Sequence, residues 1–269
     1  MSTKKSILIT GTSSGIGKAC ADHLTRRGHQ VFGASRTPPA VAGPIPWISM
    51  DVTDDRSVQE GVEDVVRRAG RLDVVVNNAG MGFLGAIEDT SIEEAKRLFE
   101  VNLFGVLRVC RAALPVMRRQ GSGRIVNISS IGGVLGLPFE GLYSASKFAL
   151  EGLSEALRME LRPWGIPVVL VEPGDIRTDF PKNRIRTRES GTESAYRETL
   201  ETVLGVMARD EQNASSPDLV ARVVGRIVER ESPALRYRVG PFLQVLAARV
   251  KGLLPSGIFE ALVRSAYKL

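Results

Sequence analysis

The chain has 269 residues, 43% hydrophobic and 25% charged, so it can bury a large core without disulfide or metal staples. Its +6 net charge forms no homogeneous basic face with interleaved aromatics, which argues against a nucleic-acid partner. No apolar run reaches membrane-span length, the first apolar run is too short for a signal peptide, and Cys20 and Cys110 lie in apolar helical patterns, so a cytoplasmic protein with free thiols is expected.

The first predicted element is the strand "SILIT" (6–10), and a helix follows over 16–27. Between them Gly11, Gly15 and Gly17 give the spacing G-x-x-x-G-x-G, with Ser13, Ser14 and Ile16 filling the same turn. Glycine belongs where a turn is tight and backbone approaches a ligand. The helix N-terminus behind it offers free N–H groups and a partial positive charge to a pyrophosphate. The second strand, 30–35, ends in Ser35 and Arg36, where dinucleotide sites often place an acid for the ribose hydroxyls. A carboxylate repels a 2′-phosphate and a guanidinium grips it, so NADP(H) is expected, with NAD(H) the alternative. A third strand (46–50) runs into Asp51 and Val52. Asp51 either accepts from an adenine amino group or caps the helix over 56–69.

The strand 72–78 ends in Asn77 and Asn78, followed by Ala79 and Gly80, polar groups and small residues where such sheets bind ligands. A long helix is predicted over 92–118, with Asn102 at an unfavourable mid-helix position. The strand 123–130 ends in Ser129 and Ser130, and the helix over 143–162 opens with Tyr143 and Lys147, four apart on one face. A cation about 4 Å from the phenol, at an effective dielectric of about 20, contributes about 4 kcal/mol. That is an upper bound of about three pKa units, enough to bring tyrosine near an operating pH. The strand 167–173 leads into "PGDIRT", with Pro173, Gly174, Ile176 and Thr178. Residues 180–235 read as a less regular insertion over the sheet's carboxyl edge, 236–240 as a last strand and 241–269 as a helical appendix. Strand–helix alternation of this kind predicts one domain over 1–269, a Rossmann-like doubly wound parallel α/β sheet with a C-terminal helical extension.

These motifs resemble the short-chain dehydrogenase/reductase family: T-G-x-x-x-G-x-G (10–17), N-N-A-G (77–80), V-N-L (101–103), a serine, Y-x-x-x-K and P-G-x-x-x-T (173–178), in order over about 5–180. "GGVLGLPFEGLYSASKFALEGLSEALR" looks most like the branch holding hydroxysteroid and retinol dehydrogenases and related bacterial ketone reductases. The resemblance implies that Tyr143 exchanges a proton with the substrate oxygen while the nicotinamide exchanges hydride. It selects Ser130, thirteen positions before the tyrosine, to hydrogen-bond that oxygen. Lys147 would bind the nicotinamide ribose and lower the tyrosine pKa, and Asn102 would hold a water. Asn78, with Ala79 and Gly80, would line the ribose, Ile176 would meet the carboxamide and Thr178 the phosphates. A homodimer or homotetramer paired through 92–118 and 143–162 is implied as well.

Leu84, Leu135, Leu137, Phe139 and Phe180 are expected to face the nicotinamide, which suits a small apolar ketone or alcohol. Tyr196, Leu200, Val203, Leu204 and Met207 fall on one helical face, either as core or as a mobile lid. Residues 236–269 carry Arg236, Arg238, Arg249, Lys251, Arg264 and Lys268 against Glu260, and the two amphipathic runs of the appendix flank Pro255-Ser256-Gly257. They are expected to pack on the body and narrow the pocket, with a peripheral membrane or partner surface as the alternative. No His/Cys/carboxylate cluster suggests a metal, and Ser130 has no histidine base. The reading is an NADP(H)-dependent ketone/alcohol oxidoreductase. The alternatives are an NAD(H)-linked retinol-type dehydrogenase and a non-catalytic nucleotide-binding regulator.

Overall fold

Four strands that the sequence writes as apolar runs are buried along their whole length: β1 (Ser6–Thr10), β4 (Val74–Asn77), β6 (Ile125–Ile128) and β7 (Val168–Pro173). Total burial is what strands covered on both faces require. In the computed structural model, which describes residues 3–38, 43–180 and 184–269, they form the centre of a seven-stranded parallel sheet. β2 (Gln30–Ser35) and β3 (Trp47–Ser49) extend it on one side and β9 (Arg236–Val239) on the other, giving the order β3-β2-β1-β4-β6-β7-β9.

Side chains alternate between the faces with the period of two that a strand imposes. Leu8, Val75, Ile125 and Val168 enter one core, packed under α2 (Asp55–Ala69), α4 (Gly105–Gln120) and α5 (Gly141–Glu160). Ile7, Ile9, Val74, Val76, Val126 and Val169 enter the other, under α1 (Gly15–Arg26) and α7 (Pro217–Glu229). The chain leaves β1 for β2 on one side, and β4 pairs with β1 on the other. The crevice at that reversal is where an open α/β sheet binds ligands.

Local sequence explains the ends of these elements. Asp54 caps α2 by accepting from the Ser57 backbone N–H at 2.7 Å, and Gly70 closes it in a left-handed conformation. α3 (Ile92–Phe99) starts on a reciprocal capping box between Ser91 and Glu94.

Two departures from the sequence-based expectation matter for the site. The helix expected over 92–118 is not continuous: a π-helical turn, Glu100–Phe104, separates α3 from α4 and carries Asn102. The stretch 180–235 is also more regular than an insertion, and its residues 181–183 lie outside the described residues. It holds the short strand β8 (Ile185–Arg186), which pairs with β5 (Phe83–Leu84), and the helix α6 (Arg197–Gln212). Its last part, α7, is a core helix: Val220, Val224, Ile227 and Val228 are fully buried against the sheet. The appendix forms α8 (Phe242–Val250) and α9 (Ser256–Tyr267).

Candidate active site at the carboxyl edge of the sheet

The glycine turn after β1 is shaped by backbone alone. Gly11 and Gly15 adopt φ of +71° and +58°, which side chains with a Cβ rarely tolerate. A Cβ on Gly11 would stand 2.8 Å from the Ala79 Cα, and one on Gly17 would collide with the Gly11 carbonyl oxygen. Ser14 sits at the N-cap of α1 without a side-chain cap, and the first turn carries no acid. The orphan N–H groups and the positive helix end are thus left to an outside anion. Ser13 is exposed on the turn, while Ile16 packs back onto the core. Thr178 lies across from the helix start, 3.3 Å from where a Gly15 Cβ would be. A groove of about 530 Å³ lined by Gly15, Lys18, Arg26, Arg177 and Thr178, together with Asp22, Asp179 and Asp218, opens here. The glycine turn and the free helix end fit a dinucleotide pyrophosphate.

The neighbouring contacts are divided between holding the turn and facing the cleft. Asn78 donates its amide to the carbonyls of Thr10 and Gly11, both at 3.0 Å. It therefore ties β4 to the glycine turn, and its donors are spent there instead of on a ribose. Ala79 is fixed by its N–H to the Thr10 hydroxyl at 3.0 Å, and Gly80 is exposed beside Asn102 and Lys147. Arg36 is exposed at the end of β2, with no hydrogen bond or ion pair among the described residues, and it helps hold the Asp51 carboxyl below its usual range. Ser35 donates to the Thr37 carbonyl at 2.6 Å and accepts from the Trp47 indole at 3.0 Å. Asp51 is not a helix cap. That place belongs to Asp54, and Asp51 accepts from the backbone and hydroxyl of Thr53. Val52 packs against Gly105 at the start of α4.

The groups on the other side of the reversal converge. Ser130, at the end of β6, accepts from the Gly132 N–H at 3.0 Å, donates to the Pro173 carbonyl at 3.5 Å and lies near enough to the Tyr143 phenol to favour its ionised form. Tyr143 and Lys147 are both buried on the first turns of α5, as i,i+4 spacing dictates. The Lys147 amine donates to the Ile128 carbonyl at 3.0 Å and lies 5.9 Å from the Tyr143 ring centroid. The amide of Asn102 makes two bonds with the Met81 backbone, at 2.9 and 3.0 Å, and one to the Ser146 hydroxyl at 3.1 Å. It thereby joins the loop after β4 to α5. Beyond Pro173, Gly174 donates to the Val239 carbonyl at 2.8 Å, and Ile176 is buried in the core, bridged to Ser215.

The electrostatics correct one expectation. The phenol is not lowered by the lysine: burial pushes Tyr143 up to about 12, and Glu140 and Asp175 push the same way against the Ser130 bond and Arg184. Burial also brings Lys147 down to about 8, opposed by Glu151. Both charges are taken out of water together, and desolvation disfavours the ionised form of each.

Sequence reading missed the Glu140–Arg184 pair. Glu140, one turn before Tyr143, is buried, and its carboxylate oxygen lies 3.3 Å from Arg184 Nε. Arg184 also bonds Glu211 at 2.5 Å and stacks 5.8 Å over the Phe180 ring, which in turn tilts against Tyr143 at 5.9 Å. Burial raises Glu140 to about 7, with Arg184 opposing. The only local signal is a glutamate inside an otherwise apolar run, and its partner lies 44 residues on. Around this pair the walls are apolar. Leu84, Leu200, Val203 and Met207 cluster with Phe139, Leu204 and Tyr267, while Leu135 and Leu137 join Ala248 and Phe259. Tyr196 does not join that face: it is exposed and donates to Glu88 at 2.6 Å.

Comparison with known proteins places this geometry. The sequence model of the short chain dehydrogenase family matches residues 5–189. A 3-ketodihydrosphingosine reductase of Bacteroides thetaiotaomicron is 43% identical over 263 residues, 98% of each chain. A short-chain dehydrogenase from Streptomyces avermitilis superposes with a TM-score of 0.81 at 36% identity, covering 94% of both chains. The structure of ElxO with NADP bound gives a TM-score of 0.72 at 28% identity, covering 88% of this chain and 97% of that one.

Proposed function

The chain belongs to the short chain dehydrogenase family, and on that premise we propose that it reduces an apolar ketone to a secondary alcohol with NADP(H). The carrying observation is the convergence of Ser130, Tyr143 and Lys147 at the sheet's carboxyl edge, across the reversal from a glycine turn fitted to pyrophosphate. A bound nicotinamide supplies hydride. Tyr143, kept protonated by burial, holds the proton for the substrate oxygen, and Ser130 hydrogen-bonds that oxygen as charge develops on it. Lys147 presents its amine toward the cleft beside Gly80, where a ribose would lie, and Asn102 fixes the loop that frames it. Arg36, exposed at the end of β2 and without a hydrogen bond or ion pair among the described residues, suits a 2′-phosphate and supports NADP(H) over NAD(H).

For the substrate, the 43% identical reductase and the apolar walls support a long-chain ketone. The buried Glu140–Arg184 pair beside Tyr143 places charged groups at this end of the cleft, which suits a polar amino ketone better than a neutral steroid. Exposed Phe104, Leu107 and Phe148 on the outer side of the π turn, α4 and α5 support pairing of two copies there, as a homodimer or homotetramer. The test is NADPH and NADH oxidation with 3-ketodihydrosphingosine, its desamino analogue and a ketosteroid. Turnover with the first, weaker with the second, is the expected result. No oxidation with any of the three, despite cofactor binding, would favour a regulatory nucleotide-binding protein.

A further inference from the structure

Helices α8 and α9 are each two-faced. Their inner faces pack on the body: Ala247, Ala248 and Phe259 pack on Leu135 and Leu137, and Tyr267 joins Leu84, Leu200 and Met207. Polar contacts lock the same side. The Asp175 N–H donates to Gln244 at 2.8 Å, Gln244 donates back to the Asp175 carboxylate at 2.5 Å, and Lys251 donates to the Val134 carbonyl at 2.6 Å. The opposite side is uncovered. Phe242, Leu243 and Leu253 are 76%, 75% and 81% exposed, and Leu246, Ile258 and Leu262 continue the strip. Large side chains concentrated this way mark an interaction surface, whereas single exposed ones do not.

Charge says what the surface meets. Arg236 and Arg238 are consumed by pairs with Glu151, Glu155 and Glu172 at the sheet edge, and Lys251 is turned inward. Arg249, Arg264 and Lys268 remain exposed, against Glu260. Phe242, Leu246 and Arg249 follow at i, i+4 and i+7, so a cation borders the apolar strip on α8. Ile258 and Leu262 form one strip on α9, and Arg264 and Lys268 another. An apolar face rimmed by arginine and lysine is the pattern of helices lying in a lipid interface, with long basic side chains reaching the headgroups. Among the described residues no helix is long and apolar enough to cross a membrane.

We propose that α8, the Lys251–Leu253 turn and α9 form one docking surface for an anionic lipid bilayer, set against the wall of the substrate pocket. A long-chain substrate would then pass from the bilayer to the pocket beside these helices. That consequence rests on the substrate reading above, but docking itself does not, so it is tested without substrate. Cosedimentation with phosphatidylcholine vesicles, with and without phosphatidylglycerol, reads it directly. The wild type is expected to sediment with phosphatidylglycerol vesicles at low salt and to be partly released at high salt. The triple variant F242S/L243S/L253S should partition at least about tenfold less, and R264E/K268E should lose the preference for anionic lipid. Both variants should keep their melting temperature and their turnover of a short soluble ketone. Wild-type protein left in the supernatant with both vesicle types overturns the proposal, and so does equal retention of the triple variant. A triple variant that changes only from dimer to monomer by light scattering, with lipid retention intact, assigns the surface to a second copy instead.

Discussion

Around the glycine turn the chain keeps side chains small: Gly11 and Gly17 bring backbone against backbone, Gly15 makes room for Thr178, and Asn78 pins the turn. At the other end side chains fill the space: Leu84, Leu200, Met207 and Tyr267 form one cluster, and Glu140 and Arg184 are a buried pair. The first region is built by local sequence around the glycine turn. The second is assembled from segments up to 183 residues apart, between Leu84 and Tyr267. Shape at one end is therefore a backbone property and at the other a packing property, and the two should fail differently when altered.

The largest effect tests the boundary between them. Tyr143→Phe should lower ketone reduction by about 10²–10⁴-fold, with NADPH affinity, read by fluorescence titration, unchanged. Loss of cofactor binding as well would mean that the two regions are not separable. Gly17→Ala should damage stability and cofactor binding together, because the added methyl meets the Gly11 carbonyl. A melting experiment should show about 1–3 kcal/mol lost, the usual cost of overpacking. Arg36→Ala should weaken NADP(H) by about tenfold, or 1.4 kcal/mol, and leave NAD(H) affinity nearly untouched.

Glu140→Gln probes the other end through pH. The unfolded chain releases this proton near 4.5 and the folded chain near 7. Between those values the folded state binds more protons, so wild-type stability should fall as pH rises across that window. The variant should lack this slope. It also removes a charge that raises Tyr143, so the ascending limb of alcohol oxidation, where the phenol loses its proton, should move to lower pH. An unmoved limb would show that the carboxylate does not act on the phenol. Tyr196→Phe should be smallest, under about 0.5 kcal/mol in stability and with no change in KM. A large KM change would return Tyr196 to the pocket.

Much of this was legible before any coordinates. The glycine spacing, the strand-end polar groups and the Tyr143/Lys147 spacing are local patterns, and parallel strands buried on both faces announce themselves as apolar runs. What escaped is non-local or a matter of one residue. Nothing in the sequence tells Asn78 to bond the Thr10 and Gly11 carbonyls, 67 and 68 residues away. The chain of amides from Asn77 to Asn127 and on to Ser154, buried between β4, β6 and α5, is equally silent, since each residue reads as a polar exception. α7 was hidden by its position after an irregular stretch. The Tyr143 direction was misjudged because pairwise attraction was counted without the burial that both partners share.

The π turn at Glu100–Phe104 has a consequence for chain length. It accommodates one residue more than an α-helix would, and each α-helical residue turns the face by about 100°. Deleting a single residue there would let Ile92 to Gln120 close into one regular helix, better by every local rule of helix formation. Asn102 would swing away from Met81 and Ser146, and the loop after β4 would lose its tie to α5. At this point the molecule keeps an irregularity that a more orderly sequence would erase, and erasing it would leave a tidier protein with a looser active site.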